Sequence, residues 1–136
     1  MADIIVVGSL NMDTVANLEK LPSPGETVHG LKLQKFPGGK GANQATALAR
    51  LGNKVSLVGM VGDDEDGRIL RQRLVDEGVD ANNVIAQEGK HTGSAIIMVD
   101  RGGNNEIIVF GGANGEVNIP FIEQRQRAFS GAKFLL

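Results

Sequence analysis

The stretch that decides the fold is Gly38-Gly39-Lys40-Gly41-Ala42-Asn43-Gln44-Ala45, in which a glycine run leads directly into a segment rich in Ala and Leu. Glycine lets the backbone adopt conformations that a Cβ forbids, and it lets a ligand approach the main chain closely. The helix predicted to follow would offer unpaired N–H groups at its N-terminus to oxygen atoms. The stretch therefore indicates a place where the backbone contacts a polar ligand.

The glycine run does not fit the common nucleotide-binding motifs. A P-loop has a glycine five positions before its Gly-Lys pair and a Ser or Thr after the lysine. Gln34 and Gly41 occupy those two positions here, and no G-x-G-x-x-G run is present. The glycine run by itself therefore does not identify the ligand.

Composition and charge exclude several classes of function. Hydrophobic residues make up 41% of the 136 residues and charged residues 22%, which is typical of a globular domain. The formal net charge of -2 and the five aromatic residues, all Phe, provide neither a basic surface nor stacking surfaces for nucleic acid. The absence of Cys excludes disulfides, thiolate chemistry and Cys-based zinc sites.

The chain carries no targeting or membrane signal that we recognise. No apolar run approaches membrane-spanning length, and Met1-Ala2-Asp3 lacks the basic start of a signal peptide. We therefore expect a cytoplasmic protein with no membrane partner and no nucleic-acid partner.

Alternating strands and helices predict an α/β fold with a doubly wound, mainly parallel sheet flanked by helices. Three short apolar runs are typical of buried parallel strands: Ile4–Gly8, Val55–Gly59 and Ala132–Leu136. Three helices are predicted, from near Gly41 to Gly52, from Asp63 or Asp64 to Gly78, and from Asn118 to Gly131. We expect Asn11, Asp13 and Gly38-Gly39 to lie in loops at the carboxyl ends of the strands.

Other segments alternate apolar and polar side chains, which predicts strands with one uncovered face. Such alternation occurs in Thr27–Phe36 and in part of Ser94–Asp100. The latter connects to Glu106–Phe110 through the turn-rich Arg101–Asn105, which predicts an antiparallel hairpin.

The wider pattern resembles the ribokinase / phosphofructokinase-B family of carbohydrate kinases. The spacing of glycines and small residues from Gly38 through Asn43 and Gly52 to Gly62 matches the family's N-terminal signature. Two earlier runs resemble the family in the same order, Val7-Gly8-Ser9-Leu10-Asn11-Met12-Asp13 and Pro24-Gly25-Glu26-Thr27. The resemblance extends over essentially the whole chain, and within the family it is strongest to kinases that act on ribose.

The resemblance implies that residues 1–136 are the N-terminal half of a ribokinase-like domain. In the family a small β-sheet lid is inserted in the α/β core, and the corresponding strands here are at about 14–36 and 93–110. The family's catalytic base and anion hole lie in an Asp-Thr-x-Gly-Ala-Gly-Asp run, which this chain lacks. Ala132–Leu136 also reads as an unfinished buried strand. We therefore expect a truncated chain, without the ATP-binding C-terminal half and inactive alone.

The resemblance also assigns substrate-binding roles to particular residues. Asn11 and Asp13 would hold sugar hydroxyls, although such residues after a strand also form simple Asx turns. Gly38, Gly39, Lys40 and Asn43 would form the substrate loop, with Lys40 open to interpretation as a solvated side chain. Three lid residues would pack over the sugar ring, or simply within the hairpin: Ala95, Ile97 and Val109.

The remaining polar features favour structural interpretations. The acidic run Gly62–Gly67 does not fit a calcium loop, because Gly62 and Arg73 stand where carboxylates are required, so we interpret it as a capped helix N-terminus. His29 and His91 have no second candidate ligand at metal spacing. Thr92-Gly93 is interpreted as a turn, and Gly111–Gly115 is assigned only backbone geometry.

The function implied by the resemblance is ATP-dependent phosphorylation of a sugar. The first expectation is ribose, phosphorylated on its 5-hydroxyl, and Asp13 is expected to bind the sugar rather than to act as the catalytic base. It implies ATP and Mg²⁺ as cofactors, bound mainly outside this chain, a monovalent cation such as K⁺, and a homodimer formed through the lid. Two alternatives stay open. The chain could be a non-catalytic sugar-binding or dimerisation module, or part of a kinase for another sugar or a nucleoside.

Overall fold

The computed structural model describes all residues, 1–136, as two four-stranded sheets with three α-helices. The strands in chain order are β1 Ile4–Val7, β2 Asn11–Leu18, β3 Gly30–Gly38, β4 Val55–Gly62, β5 Asp80–Gln87, β6 Gly93–Val99, β7 Asn105–Phe110 and β8 Phe134–Leu135. The helices are α1 Lys40–Arg50, α2 Glu65–Asp76 and α3 Ile119–Glu123. None of these helices is long and apolar enough to span a bilayer.

The first sheet is parallel throughout, with strand order β5-β4-β1-β8. Residues 4 and 6 of β1 pack in a core that includes Leu70 and Leu74 of α2, while Ile5 packs in a second core that includes Phe121. All eight residues of β4 are buried. Burial on both faces is why these strands read as continuous apolar runs, and the predicted α/β fold class is confirmed.

The second sheet is mixed, with strand order β3-β2-β6-β7. Strand β2 pairs antiparallel with β3 and parallel with β6, and the β6–β7 hairpin predicted from the sequence is confirmed. Side chains of paired residues point to the same face of a sheet. We call one surface the Asp13 face, which includes Phe36, Ala95 and Val109, and the other the Met12 face.

Helices α1 and α2 begin and end close to their predicted limits. Gly39 stands at the N-cap of α1 with φ of 95°, and Gly52 follows its end with φ of 86°. Asp64 caps α2 by accepting a hydrogen bond from the Gly67 N–H at 2.8 Å, and Gly78 follows with φ of 81°. The acidic run is therefore a capped helix N-terminus, as predicted.

The N-terminus of α1 is held against the end of β1 by direct backbone contact. A Cβ built on Gly41 would lie 2.6 Å from the Gly8 carbonyl carbon, and one built on Gly8 would lie 2.7 Å from the Gly41 Cα. The Ala42 N–H donates to the Ser9 carbonyl at 3.1 Å in the same place. Two glycines thus allow the helix to start directly beside the first strand.

Three predictions of secondary structure need correction. Asn11 and Asp13 lie within β2 rather than in loops, because β3 and β6 pair with this segment on both sides. Strand β5 was missed because it is a half-exposed edge strand that carries Asn82 and Asn83. The predicted third helix, from Asn118 to Gly131, is wrong beyond Glu123.

The side chain of Arg125 explains the early end of α3. In a continuing helix the Phe121 carbonyl would accept from the Arg125 backbone N–H. Instead the Arg125 guanidinium donates to that carbonyl at 2.9 Å and lies 3.7 Å from the centre of the Phe121 ring. The Arg125 N–H donates to Ile122 at 2.9 Å, so the chain tightens into a turn.

We expect Gly41→Ala to destabilise the protein by about 1–3 kcal/mol or more, because the added methyl group overlaps the backbone of Gly8. Gly115→Ala is the matched control, since a Cβ there meets nothing within 4 Å. Urea denaturation of both variants measures the difference. Equal free energies of unfolding for Gly41→Ala and wild type would show that α1 does not need this close contact.

Candidate functional site

Asp13 lies on β2 with its carboxylate against the backbone of Gly38. A Cβ on Gly38 would collide with Asp13 Oδ2, so glycine at position 38 makes room for the carboxylate. Asp13 Oδ1 is buried and has no hydrogen-bond partner in the protein. Burial raises the pKa of Asp13 above its usual value. A half-buried carboxylate without a partner is ready to accept hydrogen bonds from a ligand.

Asn11 lies two residues before Asp13 on the same face of β2, opposite Gly38 in β3. Its Oδ1 accepts a hydrogen bond from Asn114 Nδ2 at 2.8 Å. Asn114 belongs to a 3-10 helix, Gly112–Glu116, that follows β7. The start of β2 is therefore tied to the segment that leaves the second sheet.

The N-terminus of α1 begins directly after Gly38 and Gly39. No side chain caps this helix, because its N-cap is glycine. The Ala42 N–H is already bonded to the Ser9 carbonyl, so only the N–H groups before it in the first turn are left for oxygen atoms of a ligand. The predicted convergence of Asn11, Asp13 and the glycine run is thus present, on strand ends instead of loops.

Lys40 and Asn43 lie at the start of α1, next to the glycine run. Both side chains are exposed, and neither forms a hydrogen bond or ion pair within the protein. Lys40 is the first residue of α1, and the Asn43 N–H donates to the Gly39 carbonyl at 2.9 Å. The structure thus places both residues beside the glycine run, with side chains that have no partner within the protein.

The predicted lid residues share the face that carries Asp13. Ala95 pairs with Asp13 on one side and with Val109 on the other, and Ile97 follows two residues later on β6. Ala95 is buried, Ile97 is half-buried and Val109 is 65% exposed. These side chains therefore form an apolar surface that continues from the carboxylate toward the outer edge of the sheet.

Thr92 joins the start of β6 to the N-terminus of α2. Its buried hydroxyl donates to Asp64 Oδ1 at 2.5 Å and accepts from the Gly62 N–H at 2.9 Å, while its N–H donates to Asp64 Oδ2 at 2.8 Å. Burial alone would raise the pKa of Asp64, but hydrogen bonds from Thr92 and Gly67 outweigh it and hold the pKa below its usual value. Thr92 is therefore an anchor, which the interpretation as a turn missed.

Asn114 is the second residue whose role the sequence analysis missed. Gly111–Gly115 was assigned only backbone geometry, yet the Asn114 side chain bonds to both Leu10 and Asn11. The presence of an amide side chain, Asn114, within a glycine-rich run was the one sequence signal that could have indicated this role. His29 and His91 are exposed, and no group of three or more His, Cys, Asp or Glu side chains is arranged to hold a metal ion.

Comparison with known proteins gives consistent matches over this chain. The sequence pattern of the pfkB family carbohydrate kinases matches residues 1–136. The chain is 42% identical over 142 residues to the ribokinase of Schizosaccharomyces pombe, a match that covers 100% of this chain and 45% of the relative.

Two solved structures are similar in fold as well as in sequence. The ribokinase of Arabidopsis thaliana, solved with ribose and ATP, superimposes with a TM-score of 0.77 at 39% identity, over 83% of this chain and 37% of the other. The ribokinase of Thermotoga maritima gives a TM-score of 0.83 at 34% identity, over 99% of this chain and 44% of the other. The chain thus spans less than half the length of these relatives.

We expect Asp13→Asn to raise the melting temperature at pH 7. The raised pKa means that the folded state disfavours the ionised carboxylate, and Asn removes that destabilisation. As the pH falls through the raised pKa toward the unfolded value of about 3.9, wild-type Asp13 is protonated and the difference should shrink. Thermal unfolding followed by circular dichroism between pH 7 and pH 4 measures this.

Glu88→Gln is the control for this experiment, because Glu88 is exposed in the turn after β5 and its side chain forms no hydrogen bond or ion pair. It should leave the melting temperature unchanged across the same pH range. A lower melting temperature for Asp13→Asn at pH 7 would contradict the inference that the ionised Asp13 carboxylate destabilises the folded state.

Proposed function

This chain belongs to the pfkB family of carbohydrate kinases, and we propose that it supplies the sugar-binding part of an enzyme that phosphorylates the 5-hydroxyl of ribose with ATP. One observation carries the proposal. Asp13 holds a buried carboxylate oxygen without a partner at the point where β2, the glycine run and α1 meet. The similarity to relatives named ribokinase, one of them solved with ribose and ATP, supports ribose as the substrate.

Asp13 and Asn11 would hold two hydroxyl groups of the sugar. An ionised carboxylate only accepts hydrogen bonds, so Asp13 would accept a hydrogen bond from one hydroxyl of the sugar. Asn11 Oδ1 is already bonded to Asn114, which leaves the Asn11 Nδ2 group to donate to a second hydroxyl. The pair therefore complements a diol, whose hydroxyls can each donate and accept.

The glycine run would position the rest of the sugar. The absence of side chains at Gly38 and Gly39 lets this segment pack against the Asp13 carboxylate and the backbone of residues 9–11. The N-terminus of α1 therefore begins beside Asp13, where the sugar would contact it. We propose that Asn43, one turn into α1, adds a hydroxyl contact, and that Lys40, the first residue of α1, is a further residue of the substrate loop. Both side chains are exposed and thus able to move to a ligand.

The second sheet would serve as a lid over the sugar. Ala95, Ile97 and Val109 form the apolar surface next to Asp13, and a closed lid excludes water that would otherwise accept the phosphoryl group. Residues 1–136 contain no acidic cluster that fits Mg²⁺. We therefore assign to this chain no step that involves the ion or ATP, and we place both on the remainder of the protein.

The proposal is tested by titrating the natural protein that contains residues 1–136 with ribose in a calorimeter. Asp13→Ala should lose about 1.5–3 kcal/mol of binding free energy, the range for a hydrogen bond to a charged group. Asp63→Ala is the matched control and should bind as wild type does. A coupled assay on the same protein should detect ADP formation that depends on ribose.

Unchanged ribose affinity in Asp13→Ala would refute the binding role of Asp13. Parallel titrations with fructose and with nucleosides measure whether the site binds another sugar or a nucleoside more tightly than ribose. If one of them binds more tightly than ribose and loses affinity in Asp13→Ala, the site is that of a sugar or nucleoside kinase with another substrate.

We also propose that two copies associate through the Met12 face of the second sheet. Four large apolar side chains are exposed there, to between 40% and 71%: Leu33, Ile96, Ile108 and Phe110. Contiguous exposed apolar side chains on a sheet commonly mark an interface. The Asp13 face is proposed to hold the sugar. Helix α2 covers the Met12 face only around Met12 and Lys35, so the outer part of that face is free for a second copy.

Neighbouring residues on β7 separate the two faces experimentally. Ile108→Asp should shift the protein toward monomer in sedimentation velocity without changing the contacts of Asp13, whereas Val109→Asp should weaken ribose binding and leave the sedimentation coefficient unchanged. A monomeric wild type, or a dimer that is insensitive to Ile108→Asp, would contradict the proposed interface.

A further inference from the structure

The Asn114 side chain uses all of its amide hydrogens on the start of β2. Its Oδ1 accepts from the Leu10 N–H at 3.0 Å, and its Nδ2 donates to the Leu10 carbonyl at 3.0 Å. The second Nδ2 hydrogen goes to Asn11 Oδ1 at 2.8 Å. The amide thus pairs with both backbone groups of Leu10, as a neighbouring strand would, and has one donor left for Asn11.

These bonds determine the orientation of both amides. Rotating the Asn114 amide by half a turn would bring its oxygen against the Leu10 carbonyl and its NH₂ group against the Leu10 N–H. Rotating the Asn11 amide would bring two NH₂ groups together. Both alternatives lose hydrogen bonds in a half-buried place, where unpaired polar groups are costly.

Gly93 shows that this network is closely packed. Its neighbour in β2 is Asn11, and a Cβ on Gly93 would lie 2.5 Å from Asn11 Oδ1 and collide with Asn114 Nδ2. Gly93 itself is buried. Glycine at position 93 therefore provides the space in which the Asn11 and Asn114 side chains meet.

We propose that Asn114 is a positioning residue that fixes the Asn11 amide with its Nδ2 donor toward the sugar, and so determines which hydroxyl pattern the site accepts. The inference rests on the proposed sugar-binding function. Asn11 and Asp13 lie two residues apart on one face of β2, about 7 Å along the strand. A donor beside an acceptor complements two neighbouring hydroxyls, one that accepts from Asn11 and one that donates to Asp13.

Asn114→Asp tests this proposal with the least change of shape. The carboxylate keeps an acceptor for the Leu10 N–H but removes both donors. Asn11 must then turn its Nδ2 group toward position 114 and present its carbonyl oxygen to the sugar. The contacted hydroxyl, which accepted from Nδ2, must then turn its own hydrogen toward Asn11 and lose the hydrogen bond that this hydrogen makes in wild type.

Asn118→Asp is the control because it introduces the same charge four residues away. Asn118 caps α3 by accepting from the Phe121 N–H at 3.0 Å, and Asp is an equally good cap. Asn114→Ala, which removes all three bonds without adding charge, is the second variant in case Asn114→Asp does not fold.

Two readouts on the natural protein that contains residues 1–136 separate positioning from general stability. In ¹⁵N-labelled protein without sugar, Asn114→Asp should shift the side-chain amide signals of Asn11. In calorimetry it should weaken ribose binding about three- to tenfold, the equivalent of one neutral hydrogen bond. In the Asn11→Ala background the same change should cause no further loss, because Asn114 acts through Asn11.

A deoxy analogue identifies the hydroxyl involved. Among 2-deoxyribose and 3-deoxyribose, the analogue that lacks the hydroxyl contacted by Asn11 binds wild type more weakly than ribose does. That preference should disappear in Asn11→Ala, shrink in Asn114→Asp, and persist in Asn118→Asp.

The possible outcomes distinguish the inference from the proposed function. Additive losses in Asn11→Ala and Asn114→Asp, or an unchanged preference for ribose in Asn114→Asp and Asn114→Ala, would overturn the positioning role while leaving sugar binding intact. Failure of wild type to bind ribose would overturn the proposed function, and with it the role of Asn114 in specificity. Unchanged Asn11 amide signals in Asn114→Asp would overturn the amide pairing directly.

Discussion

The contact between the backbones of Gly8 and Gly41 is the constraint on which the site depends. It allows the first turn of α1 to begin beside the carboxyl end of β1, with the Ala42 N–H bonded to the Ser9 carbonyl. A side chain at either position would move the helix away from the strand. Gly38 and Gly39, the start of β2 and the helix N-terminus then lie close together. The side chains of the site can act together only because the Gly8 and Gly41 backbones are in contact.

Asp13 illustrates how the fold holds a group that is unfavourable without a ligand. Pairing of β2 with β3 and β6 keeps the carboxylate on one face of the sheet, and Gly38 allows it to lie against the backbone. Its Oδ1 has lost water without gaining a partner, and its pKa is raised in consequence. Pairing of β2 with the strands on either side offsets the cost of this unpaired carboxylate oxygen. A hydroxyl that donates to Oδ1 would recover the missing hydrogen bond, so binding energy is stored in the unliganded fold.

The sequence allowed the parallel sheet, both long helices and the hairpin to be predicted, because burial and capping leave periodic patterns and glycines at defined places. It also brought Asn11, Asp13 and Gly38 together correctly, although their assignment to loops was wrong. Strand β5 escaped because an edge strand need not be apolar, and α3 ended early because Arg125 bonds to Phe121 through its side chain. The roles of Asn114 and Thr92 depend on partners distant in the chain, such as Leu10 and Asp64, and local sequence carries no record of such partners.

The bond between Asn114 and Leu10 joins residues that are 104 positions apart, and Asn11 pairs with Gly93 in the parallel β2–β6 ladder. Contacts of this kind require the closure of long loops, whose entropy is lost before any bond is gained. The capped helix α2 and the β6–β7 hairpin, in contrast, form from residues close in sequence. The donor at Asn11 is therefore unoriented until residues up to 114 have been synthesised and have docked. During translation, local elements can form well before the geometry for recognising a ligand exists.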